Sequence, residues 1–421
     1  MKTLLKQAKI IDTTSKFHKK RKDILIIDGV IKEISSNIEN NDKDLLTVNS
    51  DDLHVSQGWV DLKAHFCDPG EEHKETLSSG LDSAAGGGFT HVAVLPSTSP
   101  VIDHKSLVEY MLKKSEEHAV SVLPIACMTK QMEGKELSEM FDLRSAGAIM
   151  FSDDTKTPQT QILMNALLYS TDFDTSISVS LGNDSLSQQA QVNEGMASLK
   201  TGLKANAEIS EIIEIEKNIR MIEYTGGQLH LSGVSTKEGA ELIKEAKKKG
   251  MKITSDVHLM NLCFNEERVI DFDTAFKTLP VLRNQKNVDS LWKAVKDGSI
   301  DFVVSDHRPA IKEEKELEFE HASFGAPQLR TLYSALNSKN KISTEKLVEI
   351  LAEKPRSFVG LPQCSIEMGK KADLTIFDPK EKFDIHSIKR KEEVIYSPFK
   401  NETNLGKVVG IIHNNQFIGN Y

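Results

Sequence analysis

Between residues 56 and 360 the chain alternates short apolar runs with amphipathic stretches of helical period, and this alternation limits its possible folds more than any other feature. Runs 90–95, 121–126, 147–151, 176–180, 228–231, 252–257 and 300–305 read as strands, and 105–117 and 235–249 as helices between them. The second helix closes on Lys247-Lys248-Lys249-Gly250, placing cations at the negative end of the helix dipole and a glycine just beyond it. Strands that alternate with helices over so long a stretch pair in parallel, because each helix carries the chain back across the sheet. The reading is an α/β chain built on a (β/α)8 barrel, with any active site at the C-terminal ends of the strands.

The two ends of the chain have a different character. Residues 3–11, 23–27 and 30–34 read as strands, the last two joined by the hairpin signal Asp28-Gly29. Near the C-terminus, 372–379 reads as a strand, and 406–413 and 416–418 form a second hairpin around Asn414-Asn415. These ends predict a small composite β-sandwich domain formed by 1–55 with 365–421, closing around a barrel of 56–364.

With 421 residues the chain is too long for one small core and suits a barrel plus a smaller domain. The net charge of −9 argues against a nucleic-acid surface, and the basic run from Lys16 to Lys22 reads as a solvated turn between strands. Cysteines 67, 127, 263 and 364 form no C-x-x-C pair, so buried free thiols in a reducing compartment are expected. No apolar stretch approaches the ~20 residues of a membrane span. The start of the chain is charged throughout, so the expected location is the cytoplasm.

One strand end concentrates chemistry. Gly58-Trp59-Val60-Asp61-Leu62-Lys63-Ala64-His65-Phe66-Cys67-Asp68-Pro69-Gly70 reads as an apolar strand running into a polar cluster. It resembles the G-x-x-D-x-H-x-H-x-R-x-P-G pattern of dihydroorotases of the longer bacterial type, members of the amidohydrolase superfamily. The resemblance continues in order along the chain. Glu72–Thr76 is similar to E-H-K-E-T, Ala84–Thr90 to A-x-x-G-G-F-T, and Leu95–Pro100 to M-P-N-T-x-P. Phe151–Asp154 is F-S-D-D and Asn193–Gly195 is N-E-G. Ser305–Pro309 resembles T-D-H-A-P, Phe324-Gly325 the late F-G loop, and Lys370–Pro379 the closing strand. For an intact member this implies a two-zinc centre that hydrolyses or closes the dihydroorotate ring in pyrimidine synthesis, with an aspartate on the last strand moving the proton.

The departures fall on that chemistry. Lys63, Leu181 and Gly233 stand where the resemblance implies histidine ligands, leaving His65, Asp154 and Asp306 at ligand positions, the last also at the general-base position. Cys67 replaces an arginine for the substrate carboxylate, Ser97 and Leu279 replace two asparagines, and Ala310 replaces a histidine, while Phe324 and Gly325 match the substrate loop. The expected cofactor load is therefore no zinc, or one weakly held ion. Lys63 is expected to pair with Asp306, Asp154 or both in place of the metal, and His230 and His258 to be satisfied structural histidines. The resemblance also implies partners: inactive relatives assemble with aspartate transcarbamoylase, and barrel relatives dimerise. The expected function is a non-catalytic subunit, the alternative a working dihydroorotase or other cyclic amidohydrolase.

Overall fold

The structure, a computed structural model, describes residues 1–39 and 42–420. Eight parallel strands pair in chain order: β1 (Trp59–Ala64), β2 (Phe89–Val94), β3 (Ser121–Ala126), β4 (Met150–Ser152), β5 (Ser176–Ser180), β6 (Leu229–Ser232), β7 (Ile253–His258) and β8 (Phe302–Val304). The ring closes just past β8, where Ala64 bridges His307 and the His65 N–H donates to the His307 carbonyl at 2.8 Å. Side chains alternate along the strands. Ala93, Leu95, Leu123, Ile125, Met150, Phe302 and Val304 pack together inside the barrel. Their neighbours Val92, Val94, Val122, Ile177, Val179 and Leu231 belong to the larger core shared with the helices.

Both ends of the chain enter one mixed eight-stranded sheet. Its order is Gln416–Gly419, Leu405–His413, Leu374–Lys382, His54–Gln57, Lys2–Ile11, Arg21–Ile27 and Val30–Ser35, with Leu46–Val48 beside the first half of Lys2–Ile11. The register of Lys2–Ile11 shifts between Leu5 and Ala8, where Gln7 has φ 48°. Such a bulge bends a strand, and the sandwich closes over Leu5, Ile10, Ile24, Ile26, Val55, Leu374 and Ile376. Both hairpin signals hold: Asp28-Gly29 (φ 49° and 70°) and Asn414-Asn415 (φ 48° and 56°) take the left-handed pair that a two-residue turn requires.

The barrel expectation holds, with shifted ends. The strand expected at 147–151 begins only at Met150, because Gly147, with φ 118°, caps the helix Met140–Ala146. The helix expected over 235–249 spans Lys237–Lys248, since Thr236 is its N-cap and accepts from the Gly239 N–H.

Sheet and barrel meet at Trp59. Its indole is fully buried, donates to Ser56 Oγ at 3.0 Å, and lies 5.0 Å from the Tyr333 ring and 5.3 Å from Phe377. Thr375 Oγ1 accepts from the Trp59 N–H and donates to the Gly88 carbonyl, fixing a sheet strand to both β1 and the turn before β2. Gly88 has φ 91°, and a Cβ there would come within 2.9 Å of the indole. Trp59→Ala is expected to cost about 3–5 kcal/mol of unfolding free energy in urea titrations, and Trp59→Phe clearly less.

Candidate functional site

The C-terminal ends of β4 and β8 bring Asp154 and Asp306 to the barrel mouth, both buried and both at positive φ (52° and 45°). Arg308 lies between them. Its two terminal nitrogens grip Asp154 at 3.0 and 2.7 Å, and its Nε donates to Asp306 Oδ1 at 3.1 Å. Gly325 makes the space: a Cβ there would sit 2.7 Å from Cβ and Cδ of Arg308. Ser97 Oγ adds a hydrogen bond to Asp154 at 2.8 Å. Burial alone would raise Asp154, but the Arg308 charge and hydrogen bonds, with Lys63 and Ser97, outweigh it and hold the carboxyl well below the usual range. A planar, doubly bonded guanidinium is the strongest counter-ion a side chain can offer here.

Lys63 is placed differently from the expectation. It forms no ion pair with Asp154 or Asp306; its ammonium donates to Ser232 Oγ at 2.9 Å, and Ser232 Oγ donates to Asp256 at 3.0 Å. The reason is that Arg308 has already taken both mouth carboxylates. Asp256 also accepts from His230 Nε2 (2.9 Å) and the Gly233 N–H (2.6 Å). Burial would raise Asp256, yet the His230 hydrogen bond and the nearby cations keep it below the usual carboxylate range.

His230, bonded at both nitrogens to Asp256 and Thr254, is the satisfied histidine expected. His258 is not. Neither of its buried ring nitrogens has a hydrogen-bond partner among the described residues, although Asp306 Oδ2 lies 3.4 Å and Asp256 Oδ1 3.7 Å away. The end of β7 aims the ring between two carboxylates that Arg308 and the Gly233 N–H already occupy. Burial, opposed by Asp306, lowers its pKa.

His65 turns away from the carboxylates. Its Nε2 lies 2.9 Å from the Ser97 carbonyl, an oxygen that only accepts, so the proton sits on Nε2. Nδ1 then accepts from the Cys67 N–H at 3.2 Å. Burial foremost, and then the Arg308 charge, lowers the His65 pKa, in keeping with this neutral tautomer. Burial pushes the Cys67 thiol up to about 12, so it stays protonated at neutral pH.

A cavity of about 220 Å³ opens beside this cluster, lined in part by Lys63, Leu181, Ser232, His258, Leu279 and Phe324. Gly233, next to Ser232, has φ 81°, and a Cβ there would meet His258 Nε2 and the Pro280 ring at 3.0 Å, so a histidine at this position would be strained in its backbone and crowded by both. Ala310 lies elsewhere, in a cleft with Glu75 and Arg390.

Among the described residues the ligand atoms of His65, Asp154 and Asp306 are not gathered within 4.8 Å of one another: Arg308 bonds to both carboxylates, and His65 Nε2 lies against a carbonyl. Sequence reasoning missed Arg308 and Asp256. Arg308 had a visible signal, since it stands at the alanine of T-D-H-A-P; Asp256 had none beyond its place on a strand end.

A family model described as dihydro-orotase-like matches residues 54–239. The dihydroorotase of Caldicellulosiruptor saccharolyticus is 37% identical over 414 residues, covering 96% of this chain and 94% of that protein. The dihydroorotase of a Thermoanaerobacter species is 35% identical, covering 95% and 93%. An L-hydantoinase (dihydropyrimidinase) from Arthrobacter aurescens superposes with a TM-score of 0.83 at 20% identity over 99% of this chain and 96% of its own, so it shares the fold.

Because Asp154 is depressed in the folded state, its stabilisation is present above the unfolded carboxylate value near ~3.9 and lost as pH falls through the lower folded value. Arg308→Met strands buried carboxylates and is expected to cost about 3–5 kcal/mol at pH 7. Urea titrations should show that gap narrowing as pH falls towards 4, when the stranded carboxyl protonates.

Proposed function

Since the chain belongs to the dihydroorotase family, we infer that it is a dihydroorotase-like protein of pyrimidine metabolism whose barrel mouth works as a closed ion-pair cluster, and that it serves as a non-catalytic member of the family. One observation carries this reading: the Arg308 guanidinium occupies both carboxylates that would otherwise face a metal. A cation held by three hydrogen bonds between buried carboxylates competes directly with a dication for the same oxygens. The residues present do not fit a zinc pair. Lys63 brings a second positive charge, and neither Leu181 nor Gly233 offers a side-chain donor atom. No hydrolytic step is therefore routed through zinc at this mouth.

The substrate side is altered to match. Cys67, a buried neutral thiol, cannot make the paired hydrogen bonds that an arginine gives a carboxylate, and Ser97 is spent on Asp154. In this role it would assemble in the cytoplasm with a transcarbamoylase of the aspartate type and pair through its barrel as a homodimer. A second reading, an active cyclic amidohydrolase, draws on Asp306 and the uncommitted His258 ring beside the 220 Å³ cavity. It requires Arg308 to leave both carboxylates before substrate binds.

A dihydroorotate hydrolysis assay with and without added zinc separates the two. The expected result is turnover at the uncatalysed rate in both, with a metal content that Asp154→Asn and Asp306→Asn leave unchanged. Zinc-dependent turnover that either substitution abolishes would establish the second reading. Co-purification with the transcarbamoylase would support the subunit role.

A further inference from the structure

At the opposite end of the barrel from the mouth, three side chains that the functional reading does not use come together. His91 lies near the start of β2, Asp373 just before the strand Leu374–Lys382, and His413 at the end of Leu405–His413. One ligand atom from each lies within 4.8 Å of the other two, and among the described residues no other group of three histidine, cysteine or acidic side chains converges in this way. His413 Nδ1 is 3.6 Å from Asp373 Oδ1, His91 Nδ1 is 4.0 Å from Asp373 Oδ2, and the two imidazole centroids are 4.6 Å apart.

We propose that His91, Asp373 and His413 form a binding site for one divalent metal ion of the zinc class, which clasps the terminal sheet to the base of the barrel. The geometry supplies three independent arguments. The first is an orphaned acceptor. Asp373 is 5% exposed, and its Oδ1 has no hydrogen-bond partner among the described residues, although the buried oxygen of a carboxylate is costly to leave unmet. Its other oxygen, Oδ2, is already held by Arg356 at 2.6 Å, so the orphaned oxygen is the one free to bind an ion.

The second argument is orientation. His91 Nδ1 lies 3.0 Å from Thr90 Oγ1, and His413 Nε2 lies 3.1 Å from Ser121 Oγ. Contacts of this kind orient a ring, as partners of metal-binding histidines commonly do, and because a hydroxyl can either donate or accept they leave the second nitrogen of each imidazole available.

The third is the donor chemistry. Two imidazoles and one carboxylate suit zinc or cobalt and are poor ligands for magnesium or calcium, which take oxygen. Around a tetrahedral zinc, ligand atoms stand roughly 3.3 Å apart, given bonds of about 2.0–2.2 Å. The three side chains need to close by about an ångström, within reach of small χ adjustments. His413 is 13% exposed at its side chain, which gives an ion and a fourth, water ligand access from solvent. The site is independent of the barrel-mouth reading, since it shares no residue with it.

The test uses the full chain, freed of metal by dialysis against a chelator and titrated with Co(II) while the visible absorption is followed, then with Zn(II) while the unfolding midpoint is followed. The expected result is one ion per chain, tetrahedral cobalt bands, and a midpoint that rises with zinc concentration. His413→Ala and His91→Gln are each expected to weaken binding at least about 100-fold and remove both signals. Asp306→Asn at the mouth is expected to leave both unchanged. His413 is partly exposed, so its variant keeps the test open if His91→Gln does not fold, with circular dichroism checking each variant. Failure to take up one ion, or uptake that folded His413→Ala retains, would overturn the proposal. Uptake lost in Asp306→Asn instead would move the metal to the mouth and overturn both this proposal and the reading of the mouth as a closed cluster.

Discussion

Two carboxylates buried at the end of a barrel must have a counter-charge, and in this protein the counter-charge is the guanidinium of Arg308. Much of the mouth can be understood from that requirement. Gly325 has to be glycine because the stem of Arg308 lies where a Cβ would go. Ser97 completes the coordination of Asp154, and its carbonyl in turn ties down His65. With Arg308 between Asp154 and Asp306, Lys63 is left to a second, separate network through Ser232 to Asp256. The mouth thus holds two charge clusters side by side, and His258 stands between them with neither nitrogen hydrogen-bonded among the described residues. A planar fork can serve two acids at once where an ammonium makes point contacts, which accounts for the division of labour.

The scaffold carries these clusters without being shaped by them. The indole of Trp59, the hydroxyl of Thr375 and the buried guanidinium of Arg356 hold the terminal sheet against the base of the barrel. That junction lies on the opposite side from the mouth, so the folding core and the charged mouth are physically separate. Separation of this kind lets a chain about a third identical to dihydroorotases keep their fold independently of the charges in its mouth.

Legibility followed the range of the physics involved. Strand–helix alternation, hairpin dipeptides and the ordered motifs are local, and they predicted the barrel and the composite sheet with errors of a few residues at element ends. Gly147 shows why the ends slip: the same glycine can open a strand or cap a helix, and its positive φ settled on the cap. In the site, the replaced residues Lys63, Leu181 and Gly233 were legible as departures from a pattern. The partner of the mouth carboxylates was not. Lys63 was the expected cation because it stands in the histidine motif, whereas Arg308, two residues beyond Asp306, reaches both acids through a longer side chain.

The sequence by itself determined the α/β barrel, the family, and the places where residue types depart from the motif pattern it resembles, because each of these is written in residue type and order along one stretch of chain. Only the tertiary structure decided which charge neutralises which. The pairing of Arg308 with Asp154 spans 154 positions, that of Lys63 with Ser232 spans 169, and the meeting of His91, Asp373 and His413 joins a barrel strand to the far end of the chain. Electrostatic partnership is set by distances of a few ångströms and by which groups are kept from water, and neither is encoded in spacing along the chain.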